Sequence, residues 1–251
     1  MEWTAVLPGP QHLLLAALFV AAAYCVFGLS GFGSGLVSIP ALTHIWAVPF
    51  VLPVVALLDV SASSSVAVRE RRRANYREIL YLAPFTVLGL AGGVTLLVKL
   101  PPAVTVATLG AAVVSFGAWS LAARGPRRRV HGAWSAVAGL VSGVASGLFG
   151  VGGAPTVIYL SGRISDKSVL RATLATMLFI SVSSRILMLG VAGLLSARVG
   201  LTALVLAPFA FGGLVLGTRL HLRLSREQFA RVVAVLVVIA GLSLLVRAAS
   251  I

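Results

Sequence analysis

The sequence predicts an all-α polytopic membrane protein built from two inverted-topology repeats, and three observations lead to this fold class. The chain is 59% hydrophobic and only 10% charged over its 251 residues. Several apolar runs approach the ~20 residues that a transmembrane helix needs. Two glycine-dense stretches interrupt this apolar sequence, one in each half, and most of the basic residues are gathered in short loops between the apolar runs.

The glycine-dense stretches are Gly28–Gly35 and Gly147–Ala154. Glycine lowers helix stability by ~1 kcal/mol per residue relative to alanine, so several glycines in one turn of helix mark a break. Paired breaks in corresponding positions of two halves point to the binding site of a secondary transporter. We therefore expect each half to begin with a glycine-broken re-entrant or hairpin segment, followed by three transmembrane helices.

The predicted helices follow in chain order as apolar runs bounded by a glycine break or a charged loop. In the first half they cover residues 12–29, 35–48, 50–68, 79–98 and 103–123. In the second half they cover residues 132–148, 154–160, 169–189, 199–218 and 228–246. The predicted organisation is a first transmembrane repeat at 1–124, a basic cytoplasmic linker at 125–131 and a second repeat at 132–251.

Four short loops carry most of the basic residues. They contain Arg69, Arg71, Arg72, Arg73 and Arg77; Arg124, Arg127, Arg128 and Arg129; Arg163, Lys167 and Arg171; and Arg219, Arg223 and Arg226. The positive-inside rule predicts that all four face the cytoplasm. This is feasible only if each glycine-broken segment returns to the side where it started. Each half then reverses an odd number of times, so the two halves have opposite orientations.

Further sequence matches support the duplication. Ala83-Pro84-Phe85 matches Ala207-Pro208-Phe209. In the same register Gly89 corresponds to Gly213 and Gly93 to Gly217, while the pair Ser64-Ser65 corresponds to Ser183-Ser184. Inverted repeats of this kind are common among secondary transporters.

The two breaks predict an anion site. Opposed hairpins would bring their tips together near the membrane midplane, and each return helix would present its positive N-terminal end there. Missing side chains would let a ligand approach the backbone. The candidate substrate-binding residues of the breaks are Ser30, Gly31, Phe32, Gly33, Ser34, Gly35, Gly150, Val151, Gly152 and Gly153. The alternative is that the glycines serve only close helix packing.

Two ionisable residues, Asp59 and Arg185, lie well inside apolar helices, where charges are costly and therefore functional candidates. Their predicted depths allow pairing. In one interpretation Arg185 binds the anion and Asp59 carries a coupling proton. In the other, the two form a structural ion pair that never moves.

Other function classes fit less well. The net charge of +14 belongs to loops that membrane topology already explains, so we expect no nucleic-acid partner. No histidine has the spacing of a metal site, and no cofactor is expected. An intramembrane serine protease using Ser34 or Ser146 would lack a base within reach, so we do not expect an enzyme. A passive anion channel remains an alternative, and a homo-oligomer is compatible with the sequence.

The motifs Gly28-Leu29-Ser30-Gly31-Phe32-Gly33-Ser34-Gly35-x-x-x-x-Pro40 and Gly147-Leu148-Phe149-Gly150-Val151-Gly152-Gly153 resemble those of the TauE/SafE family of membrane proteins. The similarity extends over almost the whole chain and the family includes the sulfite exporters. The resemblance implies a multi-pass transporter in the bacterial inner membrane. Its substrate would be a small anion such as sulfite or an organosulfonate, exported in a proton-coupled step, and its other partners would be protons and the lipid bilayer.

Overall fold

The computed structural model describes residues 10–30, 33–122 and 131–220, residue 238 and residues 241–246. These residues form α-helices, one short 3-10 turn (Arg71–Arg73) and connecting loops, with no β-strand among them. The helices are α1 (Pro10–Ser30), α2 (Ser34–Thr43), α3 (Val48–Glu70), α4 (Tyr76–Lys99), α5 (Pro102–Ala122), α6 (Trp134–Phe149), α7 (Gly153–Arg163), α8 (Lys167–Val191) and α9 (Ala197–Leu220). The predicted all-helical class is confirmed.

Most predicted helix boundaries agree with the structure to within a few residues, but α2 is an exception. The prediction extended it to residue 48, whereas it ends at Thr43. The chain then turns, because the amides of Ile45 and Trp46 both donate to the carbonyl of Leu42. Of the predicted last helix, only residue 238 and residues 241–246 are described, and they are helical. Residues 125–130 of the predicted linker lie outside the described part of the chain.

Both predicted breaks are real interruptions between helices, and glycine stands at each. Gly33 precedes α2 with a φ of +95°, and Gly150 ends α6 with a φ of +70°. Both values lie in the left-handed region that only glycine enters without strain. The two short helices α2 and α7 begin directly after these breaks, at Ser34 and Gly153.

Helices α4 and α6 pack together through glycine and run in the same direction. A Cβ atom on Gly93 would lie 2.5 Å from the carbonyl oxygen of Val144 and 3.0 Å from the Cα of Gly147. One turn earlier, Gly89 lies equally close to the backbone of Leu140. Backbones can approach this closely in a membrane only where side chains are missing.

Helices α1 and α9 form a second interface of the same kind. Gly213 and Gly217 of α9 lie against the carbonyl groups of Ala21 and Cys25, so these helices also run in the same direction. A Cβ atom on Gly28 would lie 2.5 Å from the carbonyl oxygen of Leu214. The glycines that the sequence aligned between the two halves therefore occupy equivalent positions in two separate helix pairs.

Two of the basic loops meet at one end of the molecule. The amide of Asn75 donates to the Thr173 hydroxyl over 2.9 Å, and Arg163 forms an ion pair with Glu78. The start of α6 is there too, since the Tyr159 hydroxyl lies 3.5 Å from the Gly132 carbonyl. We call this region, made of Arg71–Asn75, Gly132 and Arg163–Lys167, the basic end. Helices α6 and α7 thus form a hairpin that starts and finishes at the basic end.

The other hairpin, α1–α2, enters from the opposite end. Helix α8 leads away from the basic end, so α9 starts at the far end, and α1 runs parallel to α9. Helix α3 then runs from α2 back to the 3-10 turn at the basic end. Within the described part of the chain, three helices are long and apolar enough to cross a membrane, namely 76–99, 168–191 and 197–219. They expose large apolar side chains such as Leu80, Leu204 and Phe211.

Candidate functional site

The two breaks touch each other at the centre of the helix bundle. A Cβ atom on Gly35 would lie 2.6 Å from the carbonyl oxygen of Gly150. A Cβ atom on Gly150 would lie 2.9 Å from Nη1 of Arg185 and 2.9 Å from Cδ2 of Leu52. The tip of the second hairpin therefore rests between the first return helix, α3 and the guanidinium group of α8.

Asp59 of α3 and Arg185 of α8 form a buried ion pair at this point. Nη2 of Arg185 lies 3.2 Å from Oδ2 of Asp59, and the residues are 1% and 3% exposed, respectively. The other carboxylate oxygen, Oδ1, accepts hydrogen bonds of 2.7 Å from the hydroxyl groups of Tyr24 and Ser34. A buried charge pair is tolerated only when its remaining hydrogen-bonding capacity is used, and Asp59 meets this condition.

Arg185 does not meet it. Its Nη1 donates a long hydrogen bond of 3.4 Å to the carbonyl of Ser146, and its buried Nε has no hydrogen-bond partner among the described residues. A guanidinium group carries five N–H donors. Leaving a buried donor unpaired costs about 1–3 kcal/mol. The guanidinium therefore has donor capacity left for a further negatively charged or acceptor group.

A cavity of about 40 Å³ lies beside the guanidinium. A single water needs only about 10–15 Å³ by the same measure, so a small polyatomic ligand is of the right order of size. Its lining includes both charged groups and five hydroxyl-bearing residues: Asp59, Arg185, Thr86, Ser142, Ser146, Thr156 and Ser181. The remaining lining is apolar or backbone, and includes Gly150, Gly152, Gly153, Val157, Leu174, Met177, Leu178 and Val182.

The cavity hydroxyl groups are already ordered by one another. Ser142 donates to the carbonyl of Gly152 and lies 2.7 Å from the Thr156 hydroxyl. The Ser146 and Ser181 hydroxyl groups are 3.1 Å apart. Hydroxyl groups of α6, α7 and α8, already oriented by these contacts, therefore line the same cavity as the first residues of α7.

The two breaks contribute unequally to this cavity. Gly150, Gly152 and Gly153 of the second break border it, whereas neither Gly33 nor Gly35 does. The hydroxyl group of Ser34, which the sequence suggested as an anion donor, is instead bonded to Asp59. The cavity is therefore built mainly on the second half of the chain.

Three of the glycines predicted to bind the anion, Gly35, Gly150 and Gly152, lie where protein atoms leave no room for a side chain. The space beside Gly35 is filled by Gly150, and the space beside Gly150 by Arg185 and α2–α3 side chains. A Cβ atom on Gly152 would lie 2.5 Å from Cβ of Ser146. At Gly35, the backbone of Gly150 therefore occupies the space through which a ligand was expected to approach.

The remaining predicted residues lie away from the cavity or outside the description. Val151 packs against the apolar core. Ser30 is the last residue of α1, and Gly31 and Phe32 lie outside the described residues. Asp59 and Arg185, whose predicted depths allowed pairing, do pair in the structure.

Sequence analysis missed Tyr24, Ser142, Thr156 and Thr86. A signal existed for two of them. Tyr24 places a hydroxyl group in an otherwise apolar helix, where it needs a partner. Ser142 stands one helical turn before Ser146 and therefore shares its face. Thr86 and Thr156 carry no such signal, because membrane threonines commonly bond their own helix backbone, as Thr86 does to Leu82.

Comparison with known proteins identifies the family. The family model described as "Sulfite exporter TauE/SafE" matches residues 14–244. The chain belongs to this family. It is also 31% identical over 194 residues to a Comamonas testosteroni protein described as "Probable inner membrane transporter protein TsaS", which covers 76% of this chain and 80% of that protein. No solved structure matches. The resemblance found in the glycine motifs is confirmed, and the chain is a multi-pass membrane transporter.

Proposed function

We propose that this TauE/SafE protein exports sulfite or an organosulfonate-type anion across the bacterial inner membrane, and that the anion binds beside Arg185. One observation carries the proposal: a fully buried guanidinium, whose Nε has no hydrogen-bond partner among the described residues, borders a cavity lined with hydroxyl groups. Sulfite and sulfonate groups offer several oxygen acceptors, which match the donors of a guanidinium and neighbouring hydroxyl groups.

The anion would be held by three kinds of donor. Arg185 supplies the positive charge, Ser146 and Ser181 supply hydroxyl groups, and the start of α7 at Gly153 supplies free backbone amides with the positive end of the helix dipole. Because these donors lie away from bulk water, each interaction is stronger than it would be at a surface.

Proton coupling follows from charge balance. The Asp59–Arg185 pair is neutral as a unit, and an arriving anion adds a negative charge that a low-dielectric site disfavours. A proton on Asp59 would restore neutrality and release Arg185 to the anion. Anion and proton would then occupy the site together. The competing interpretation, a fixed structural pair, predicts that Asp59 never changes its protonation during transport.

We also propose that the chain is an inverted repeat, with units at 1–124 and 132–251 joined by a basic linker at 125–131. The parallel pairs α4–α6 and α9–α1 use the aligned glycines in the same way, and the two hairpins start from opposite ends. Inverted repeats place a substrate site at the interface between the units, where Asp59 and Arg185 meet.

Transport in proteoliposomes tests the proposal. Purified protein is reconstituted, and efflux of sulfite, alkyl- and arylsulfonates, sulfate and thiosulfate is measured with and without a pH gradient. We expect saturable efflux of at least one sulfur oxyanion. Because anion and proton would occupy the site together, efflux should be faster when the vesicle lumen is more acidic than the outside. Saturable transport that ignores the gradient would contradict proton coupling, and non-saturating, pH-independent conduction would favour a passive channel. Absence of any anion flux would contradict the proposed function.

A further inference from the structure

A second buried polar cluster lies apart from the cavity, at the basic end. Arg163 donates to Oε1 of Glu78 from Nε at 3.0 Å and from Nη2 at 2.7 Å. The hydroxyl group of Tyr159 donates to the other oxygen, Oε2, at 2.8 Å. The Glu78 side chain is 6% exposed, whereas that of Arg163 is 32% exposed. Both oxygens of a buried glutamate are thus held by one short helix.

That short helix is α7, and the cluster fastens its far end to the first turn of α4. Glu78 lies near the start of α4, while Tyr159 and Arg163 lie one turn apart near the end of α7. The tip end of α7 follows the break at Gly150, whose backbone is left-handed. The helix is therefore connected through a glycine turn at one end and through a side-chain cluster at the other.

The same helix forms one wall of the cavity. Gly153, Thr156 and Val157, from its first half, border the cavity, and Tyr159 and Arg163 follow within two turns. Any displacement of the end of α7 away from α4 would therefore move this wall.

An apolar layer adjoins both the cavity and the cluster. Ile79, Leu82, Leu160, Ile164 and Met177 pack with the ring of Tyr159. Met177 also borders the cavity. The Tyr159 hydroxyl belongs to the Glu78–Arg163 cluster at the basic end. Residues of α4 and α7 therefore meet in the layer that connects the cavity with this cluster.

We propose that Glu78 is a positioning residue that holds α7 as a closed gate between the cavity and the basic end. Because the Arg163 side chain is about one-third exposed, water can reach the pair from that side as the end of α7 moves. Opening would part the apolar layer and admit water and the anion from the side of the basic loops. The proposal assumes the cavity described above as the cargo site but does not depend on which anion it carries.

Cysteine accessibility tests the gate without any substrate. Leu174 borders the cavity on α8, and Leu174→Cys in a Cys25→Ala background gives one reporter thiol, since Cys25 is the sole cysteine of the chain. A membrane-impermeant maleimide is applied to each face of sealed vesicles. We expect slow labelling from the basic-loop face, accelerated roughly tenfold by Glu78→Gln, the size of a modest population shift.

Charge exchange separates a gate from a general loss of structure. Arg163→Gln should also accelerate labelling, and the double variant Glu78→Arg with Arg163→Glu should return it toward the parent rate. Arg77→Gln is the matched control, because Arg77 is the exposed neighbour of Glu78 and its guanidinium donates a hydrogen bond to the Tyr81 hydroxyl rather than to the glutamate. Its labelling should equal that of the parent.

Either of two results would overturn the proposal. One is unchanged labelling in Glu78→Gln protein that elutes as a single folded species. The other is equal acceleration by the Arg77 control. If Glu78→Gln does not yield folded protein, Arg163→Gln at the more hydrated end provides the same measurement. Because no anion is present, a failure here is distinguishable from a failure of the transport assay.

Discussion

At the scale of single residues, the site depends on how Arg185 divides its donors. One nitrogen pairs with Asp59, one reaches a backbone carbonyl, and the buried Nε has no hydrogen-bond partner among the residues that the structure describes. The sequence predicted both residues as candidates, because ionisable residues inside apolar helices are rare, and it left pairing as one of two alternatives. It could not predict that Tyr24 and Ser34 saturate Asp59, since those contacts join helices that are distant along the chain.

Replacing Arg185 by lysine tests the guanidinium itself. Lysine keeps the positive charge that Asp59 needs but offers no Nε–H and no planar fork. We therefore expect folded protein whose apparent affinity for the anion falls about ten- to a hundredfold, the loss of one charge-assisted hydrogen bond of about 1.5–3 kcal/mol. The measurement is the concentration dependence of proteoliposome uptake. Unchanged affinity would show that Arg185 does not contact the anion.

Replacing Asp59 by asparagine separates coupling from structure. The change removes the proposed proton carrier and leaves Arg185 without its counter-charge, which costs about 3–5 kcal/mol of stability for a buried pair. A bound anion would supply that counter-charge. We expect the variant to have a lower melting temperature than the parent without anion. Adding anion should raise its melting temperature more than that of the parent, and its anion flux in proteoliposomes should no longer respond to a pH gradient.

The control for this variant is Ser34→Ala, which removes one donor to Asp59 but keeps the carboxylate. It should retain the response to the gradient. Proton-driven transport by Asp59→Asn protein would contradict the coupling role and favour the fixed ion pair.

At the scale of elements, glycine decides where helices stop and how closely they pack. The sequence predicted both breaks, because clustered glycines are incompatible with a continuous helix. It also predicted the glycine correspondence between halves but not its cause. Gly93 and Gly213 face partner backbones, while Gly92 and Gly212, their neighbours along α4 and α9, have open space beside them. Only the three-dimensional packing distinguishes the members of each pair.

These neighbours give matched variants. Gly93→Ala should destabilise the protein by about 1–3 kcal/mol, the cost of overpacking, because its Cβ would lie 2.5 Å from the Val144 carbonyl oxygen. Gly92→Ala should be neutral or slightly stabilising, since alanine favours helix. Gly213→Ala and Gly212→Ala should repeat this contrast in α9. Melting temperatures in detergent provide the measurement, and equal effects within a pair would contradict the packing described.

At the scale of the whole molecule, charge distribution in the sequence predicted which loops share a side. The structure brings Asn75 to Thr173 and Glu78 to Arg163, so two of the basic loops do adjoin. The sequence could not show which of the two breaks borders the cavity, although the residues after the glycines differ, Gly35-Leu36 in the first motif and Ala154-Pro155 in the second. The two breaks differ in the side chains that lie beside them. Ser142 and Ser146 of α6 face the second break, whereas the equivalent turns of α1 carry no serine.

Topology is open to direct labelling. In the Cys25→Ala background, Ser165→Cys in the loop before α8 should react with an impermeant thiol reagent from the cytoplasmic side. Ser196→Cys in the turn before α9 should react from the periplasmic side, since the 25-residue helix α8 separates the two positions. Intact cells and inverted vesicles provide the two exposures. Labelling of both positions from one side would contradict the opposed hairpins.

The central ion pair is divided between the proposed repeats, with its acid in the first and its base in the second. By the serine correspondence, Val66 stands where the second half has Arg185. Two identical copies of either half could therefore assemble only with a pair of like charges at their common axis. Neither half can form a working homodimer by itself, and a gene split at residue 125 should restore export only when both fragments are produced in the same cell.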